Sequence, residues 1–217
     1  MHGEGISYAY GFWSLVVVNI GLFAFFLISF LTPVKKREWR SMGATLAFFV
    51  ALFTEMYGFP LTIYILTGIL GSKYTALNPF SHVSGHLWLT FLGGGAVMLG
   101  IIHLISNALV IIGFAIMWKG WKLIHGAKGE LVTGGPYAYV RHPQYVGLFL
   151  VLIGMLIQWP TIITAIMFPV LIYAYSRLSK KEESEMIRLF GDEYRKYMEH
   201  TPMFIPKVGG EKEDERR

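Results

Sequence analysis

The amino-acid sequence predicts an all-α polytopic membrane bundle, with about five to six transmembrane helices and a C-terminal amphipathic helix. Three observations carry this prediction. Of the 217 residues, 54% are hydrophobic and only 15% charged, against roughly 25% charged in a typical soluble domain, and the mean hydropathy is +0.49. Apolar runs recur at about the length of 20 residues that a helix needs to cross the hydrocarbon core. The lysines and arginines gather in short loops beside those runs, where they suit anionic lipid headgroups better than nucleic acid. The formal charge of +5 is modest, and the chain has no cysteine, which excludes disulfides and thiolate chemistry within it. The length leaves room for one bundle and no separate soluble domain.

Met1 to Gly11 holds no lysine or arginine, so a cleaved signal peptide with a basic start is not expected there. Tyr10 to Leu31 has the length of a span, and Pro33 ends it. Lys35, Lys36, Arg37 and Arg40 form a basic knot that charge bias assigns to the cytoplasmic side. Ala44 to Leu70 is apolar but interrupted by Glu55, Gly58 and Pro60. A carboxylate inside an apolar segment is costly and usually faces the bundle interior or a cavity. Glu55 is therefore a candidate catalytic residue lining a substrate cavity; the other reading is a protonated or hydrogen-bonded group that holds a kink.

Ser72 to Gly85 reads as a polar loop that contains His82, and His82 and His86 stand four apart. That spacing suits a metal on one helix face, but the other histidines form no second cluster, and no metal site is expected. Leu87 to Ile105 and Ala108 to Leu123 read as two spans joined at Ser106 and Asn107, with Gly93, Gly94 and Gly95 serving close helix packing. Lys119, Lys122 and Lys128 mark the exit of the second. The three basic regions, Lys35 to Arg40, Lys119 to Arg141 and Arg177 onward, should share one side of the membrane. Three simple spans between the first two would separate them. A re-entrant turn at Glu55 to Pro60 would reunite them, and the sequence leaves the matter open.

Gly134 to Gly147, GGPYAYVRHPQYVG, is unlike any lipid-facing helix. Pro136 and Pro143 each remove a backbone donor, and Gly134 and Gly135 permit unusual backbone or close approach. Such backbone is tolerated at membrane level only against protein or a wet cavity, so the stretch reads as a polar pocket wall at the mouth of the bundle. Tyr145 to Gln158 and Thr161 to Arg177 follow as an apolar hairpin, bent at Trp159 and Pro160. The tail, RLSKKEESEMIRLFGDEYRKY, reads as a helix leaving the membrane and an amphipathic helix that starts after Gly191. Lys207 to Arg217 is charged and expected to fray.

In order, GPYAYVRHPQYVG, the hairpin, KKEE, FGDEYRKY and MFIP resemble the isoprenylcysteine carboxyl methyltransferase family and its phospholipid methyltransferase relatives, over about Leu131 to Pro206. The resemblance implies an integral-membrane, multi-pass enzyme that uses S-adenosylmethionine, releases S-adenosylhomocysteine, and holds the cofactor on the cytoplasmic side. It implies a lipophilic acceptor met among membrane lipids, first a prenylcysteine-like carboxylate, with a phospholipid amine or a small thiol as alternatives. Arg141, His142, Pro143, Tyr145 and Gly147 match its first motif, Glu182 and Glu183 its paired acids, and Tyr194 and Tyr197 its aromatic pair. Met186 stands where the pattern often has leucine.

Chemistry agrees with these assignments. Carboxylates such as Glu182 and Glu183 suit an ammonium or ribose, and tyrosines such as Tyr137 suit adenine or a sulfonium by cation–π attraction. Arg141, a planar fork, suits either the cofactor carboxylate or an anionic acceptor, and is the other catalytic candidate. Three regions are expected: 1–118 for acceptor access, 119–206 for catalysis, and 207–217 as a charged tail. An NADPH-dependent membrane sterol reductase is the competing enzyme class, but no additional arginine cluster near Tyr137 to Tyr145 awaits a 2′-phosphate. A non-catalytic lipid-binding bundle would not need the paired acids.

Overall fold

A computed structural model describes residues 10–31, 36–70, 73, 78, 80–127 and 129–206. The expectations placed on Met1 to Ala9, Pro33, Lys35, Ser72, Lys128 and residues 207–217 lie outside the described residues. Helix α1 (Trp13–Leu31) is followed by α2 (Lys36–Phe53), which runs on through a π turn at Thr54–Gly58. Next come α3 (Leu61–Leu70), a 3₁₀ turn at His82–Gly85, α4 (Leu87–Leu92) and α5 (Gly95–Gly126). After a 3₁₀ turn at Gly135–Ala138, the chain forms α6 (Pro143–Gln158), α7 (Ile162–Phe190) and α8 (Asp192–His200). Among the described residues every regular element is helical, which is the expected all-α class. Trp13–Leu31, Glu38–Gly58, Gly95–Gly126 and Ile162–Phe190 are long and apolar enough to cross a membrane, and α3 and α6 are shorter apolar helices.

The expected pair of spans from Leu87 to Leu123 is corrected. Ser106 and Asn107 lie inside the single 32-residue helix α5, because neither removes a donor or needs unusual backbone. The break falls instead at Gly93, Gly94 and Gly95, whose φ values of 72°, 93° and 55° only glycine adopts freely. Those glycines end a helix and do not pack one.

At about 1.5 Å per residue, α3 and α4 reach only about 15 and 9 Å, well short of a crossing of about 30 Å. Helix α2 therefore goes out and α5 returns. Phe30 at the end of α1 meets Trp118 and Trp121 near the end of α5, with ring centroids 5.8 and 6.2 Å apart. Arg40, Lys119 and the later basic residues consequently share one end of the bundle.

The opposite end is held by capping. Thr161 Oγ1 accepts the Thr164 N–H at the start of α7, at 3.1 Å. Thr62 Oγ1 accepts the Ile162 N–H at 2.9 Å, and Glu55 Oε2 accepts the Thr62 N–H at 2.7 Å. Helix N-termini leave such donors orphaned and favour negative charge, so this carboxylate caps α3 across the π turn. His86 Nδ1 lies 2.8 Å from the Gln158 carbonyl, and Trp88 Nε1 donates to the Ile157 carbonyl at 2.9 Å. The histidine singled out for its spacing to His82 thus closes the C-terminus of α6.

Helix α6 packs along α5, while α7 packs along α2. The first seam is made by small residues. A Cβ on Gly147 would stand 2.6 Å from the Gly113 carbonyl oxygen, one on Gly113 2.5 Å from that of Gly147, and one on Gly154 2.8 Å from that of Ser106. Each contact is backbone, which cannot move aside cheaply. We therefore expect Gly147→Leu to destabilise the bundle by at least about 1–3 kcal/mol through overpacking. Gly21→Ala, where a Cβ meets nothing within 4 Å, should leave stability unchanged or raise it by about 0.5–1 kcal/mol. Thermal unfolding of both variants in one detergent checks the contrast.

Candidate functional site

A cavity of about 560 Å³ opens at the basic end, between the ends of α1, α2 and α5 and the segment from Gly129 to Tyr145. The lower half of α7 and the tyrosines of α8 close it. Such a volume lies within the range of about 300–1,000 Å³ usual for small-molecule sites. Its α7 wall comes from Tyr175, Leu178, Glu182, Glu185, Met186 and Leu189, which recur at three- and four-residue steps and so share one helix face.

The residue before α6, His142, and its neighbour Arg141 organise the polar side. Pro143 begins α6, where its missing N–H costs nothing and its ring presets the helical φ. This positions the preceding backbone to pair with the chain after α8: Arg141 N–H donates to the Pro202 carbonyl at 2.9 Å and His142 N–H to that of Met203 at 3.2 Å. The Arg141 side chain is 10% exposed, and its Nε meets Glu183 Oε1 at 2.7 Å, on a carboxylate 7% exposed. Its Nη1 donates to the carbonyls of Met198, at 3.1 Å, and Thr201. Those carbonyls lie at the C-terminus of α8, where a cation is favoured.

The His142 ring stands between both paired acids, with Nε2 3.2 Å from Glu183 Oε1 and Nδ1 3.5 Å from Glu182 Oε2. Burial alone would lower its pKa, but the hydrogen bonds and charges of Glu182 and Glu183 outweigh that and raise it. Tyr145 donates to Glu182 Oε1 at 2.5 Å and stacks on His142 at 5.7 Å between ring centroids. Tyr197 OH donates to the Tyr137 carbonyl at 2.6 Å, tying α8 to the segment before α6. Burial, with the Glu183 charge, pushes Tyr194 up to about 12, so it stays protonated.

The site residues expected from sequence divide into three groups. Tyr137, Arg141, His142, Tyr145, Glu182, Tyr194 and Tyr197 line the cavity together. Glu183, Pro143 and Gly147 stand behind that wall: Glu183 is 5% exposed and bonded to Arg141 and His142, Pro143 starts α6, and Gly147 belongs to the α5 seam. Glu55 is not brought to them. It lies at the other end of the bundle, capping α3. Glu38, Glu130, Gln144, Tyr175 and Glu185 also line the cavity and were not expected. For Tyr175 and Glu185 the signal was present, as the periodicity of α7 that passes through Glu182; Glu38 reaches the cavity only through the packing of α2.

Two expectations follow. Glu183→Gln leaves the buried Arg141 without its counter-charge, so stability should fall by about 3–5 kcal/mol; in Glu182→Gln, whose parent carboxylate is 31% exposed, it should fall far less. Because the folded pKa of His142 is raised above its unfolded value of about 6.5, its contribution is fully present below that pH and is lost as pH rises through the folded pKa. Melting curves of the parent and His142→Gln, taken between about pH 6 and 9, should therefore converge as pH rises.

Comparison with known proteins bears on the same region. Residues 88–193 match the family model described as phospholipid methyltransferase. The chain is 35% identical over 79 residues to the protein-S-isoprenylcysteine O-methyltransferase of Schizosaccharomyces pombe, covering 36% of this chain and 34% of that protein. It is 35% identical over 85 residues to the Homo sapiens protein of the same name, covering 39% and 30%. To the protein-S-isoprenylcysteine O-methyltransferase B of Arabidopsis thaliana it is 28% identical over 130 residues, covering 59% and 65%. The chain thus spans about a third of the length of the first two. Residues 88–193, which run from α4 into α8 and contain the polar cluster of Arg141, His142, Glu182 and Glu183, are thus the part of this chain that is similar to the phospholipid methyltransferase family model, and the isoprenylcysteine methyltransferases are similar to it as well.

Proposed function

We propose that this chain is an integral-membrane methyltransferase that moves a methyl group from S-adenosylmethionine to a lipophilic acceptor, first a prenylcysteine-like carboxylate. The observation that carries the reading is the charge and ring content of the cavity. Glu130 and Glu182 line it together with Tyr137, Tyr145, Tyr175, Tyr194 and Tyr197, and Arg141 already faces Glu183. Carboxylates and tyrosine faces fit a ligand that carries an ammonium and a sulfonium. Among the described lining residues Arg141 is the only arginine, and its Nε is bound to Glu183, so a 2′-phosphate would find no arginine cluster there, which disfavours the reductase reading.

When bound, the cofactor supplies an electrophilic methyl group on a cationic sulfur. The chain then has three tasks. Glu182, held by Tyr145 and His142, offers a fixed acceptor for the ammonium or the ribose. The tyrosine rings exclude water and favour positive charge beside them. Arg141 acts mainly as a positioning residue, since Nε and Nη1 hold α7 and α8; Nη2, which bonds to none of the described residues, would meet an anionic acceptor. An ionised carboxylate attacks in line without a general base, so alignment supplies most of what the protein must add. Residues 119–206 form the catalytic region in this reading, and residues 1–118 add α1, α2 and the acceptor's route from the bilayer. Arg40, Lys119 and Lys122 at the same end support a cavity on the cytoplasmic side, by charge bias.

Calorimetry of detergent-purified protein tests the reading. S-adenosylhomocysteine should bind and NADPH should not. Glu182→Gln should weaken binding by about ten- to a hundredfold, the worth of a lost charged hydrogen bond, with little change in melting temperature. Binding of NADPH alone, or unchanged affinity in Glu182→Gln, would overturn it.

A further inference from the structure

Each nitrogen of the His142 ring faces a carboxylate oxygen. Nε2 stands 3.2 Å from Glu183 Oε1, and Nδ1 stands 3.5 Å from Glu182 Oε2. An ionised carboxylate only accepts hydrogen bonds, so both nitrogens carry hydrogen and the ring is an imidazolium. Burial opposes this charge, but the hydrogen bonds and charges of Glu182 and Glu183 outweigh burial and raise the His142 pKa above its ordinary value.

The two carboxylates are not equivalent. Glu183 is buried and also takes Arg141 Nε at 2.7 Å, so it is committed within the chain. Glu182 lines the cavity with a side chain that is 31% exposed. Its Oε1 accepts from the Tyr145 hydroxyl, whereas its Oε2 lies beyond the usual 2.7–3.2 Å of an N–H···O bond from Nδ1. Oε2 is therefore the oxygen of the cluster with capacity for another donor.

The charges of Arg141 and His142 balance those of Glu182 and Glu183. An ammonium arriving on Glu182 Oε2 upsets that balance beside the imidazolium, and a neighbouring like charge disfavours the protonated form. The same carboxylates repel a ligand's own carboxylate, so the ammonium is the nearer group. Around the ring, Tyr145 is stacked at 5.7 Å and Phe204 lies at 5.9 Å between ring centroids. Across the cavity, burial raises Tyr137, Tyr194 and Tyr197, which stay protonated. Glu38 of α2, Glu130 and Glu185 complete the charged lining among the described residues, and His142 is the only histidine there.

We propose that the ammonium of the methyl donor, or of its product, displaces the Nδ1 proton of His142, so that binding releases one proton to solvent. The Nδ1–H bond breaks and buffer takes the proton. Nε2 keeps its hydrogen on Glu183, and the freed lone pair of Nδ1 accepts an N–H of the ammonium beside Glu182 Oε2. This rests on the methyltransferase reading and adds a pH linkage to it. Release on binding means that affinity rises with pH, by up to about tenfold per unit, between the pKa values of His142 with and without ligand.

Calorimetry of the full-length, detergent-purified protein tests the proposal. S-adenosylhomocysteine is titrated at about pH 7, near the imidazole range, in phosphate and in Tris, whose heats of ionisation differ widely. The difference in heat should correspond to release of about one proton per ligand. His142→Gln, with folding checked by its circular dichroism melt, should lose that release. So should the parent with 5′-methylthioadenosine, which lacks the ammonium; this comparison stands whether or not the variant folds. Equal heats in the two buffers, or proton uptake, overturn the proposal and leave the methyltransferase reading intact, because S-adenosylhomocysteine has still bound. Release that persists in folded His142→Gln, or with 5′-methylthioadenosine, overturns it as well. Absence of binding by S-adenosylhomocysteine overturns the methyltransferase reading, and this proposal with it.

Discussion

Arg141 is the residue on which the basic end of the bundle depends. One guanidinium, on the residue that precedes the helix cap of α6, joins Glu183 of α7 to the last carbonyls of α8. Its backbone N–H, and that of His142, reach the strand of chain that follows α8. A buried charge of this kind is tolerable only when fully partnered, and here the partners come from α7 and from the end of α8. The pair therefore sets where α7 and α8 stand relative to α6, and with them the cavity wall. It also sets the field inside. Because Glu183 takes up Arg141, the cavity side is left with Glu182 and a ring of tyrosines.

The second constraint is the glycine seam between α5 and α6. Gly113, Gly147, Gly154 and Ser106 bring the two backbones so close that a single added methyl would meet a carbonyl oxygen. With α6 locked along α5, the end of α5 and the start of α6 must lie at one end of the bundle, which is where the cavity forms. The far end needs no such closeness and is joined by caps instead: Glu55 on α3, Thr62 on α7, and His86 with Trp88 on α6. Residues that look chemical by type are structural there, since a helix terminus presents the same unsatisfied groups as a ligand does.

Glu182 and Glu183 show how far a pattern reaches. Adjacent positions on a helix point about 100° apart, so one of the two had to face away from any common site. Periodicity through Tyr175, Leu178, Glu182 and Leu189 assigns Glu182 to the cavity face once the bundle interior is known. That Glu183 meets Arg141, 42 residues earlier, cannot be read from spacing. Glu55 failed as a site residue for the converse reason: its burial was legible from hydropathy, but burial does not say which end of α2 the cavity occupies.

The sequence by itself determined the membrane-bundle class, the helix leaving the membrane and the amphipathic helix after Gly191, and the motif residues from Tyr137 to Tyr145, because hydropathy, proline and glycine act locally. Tertiary structure alone decided the single α5, the shared side of the basic segments, and the division of the motif into cavity-lining residues and the supports behind them. Local chemistry fixes what a segment can be, whereas the choice between an ion pair, a cap and a ligand contact depends on which distant group arrives to satisfy a buried charge.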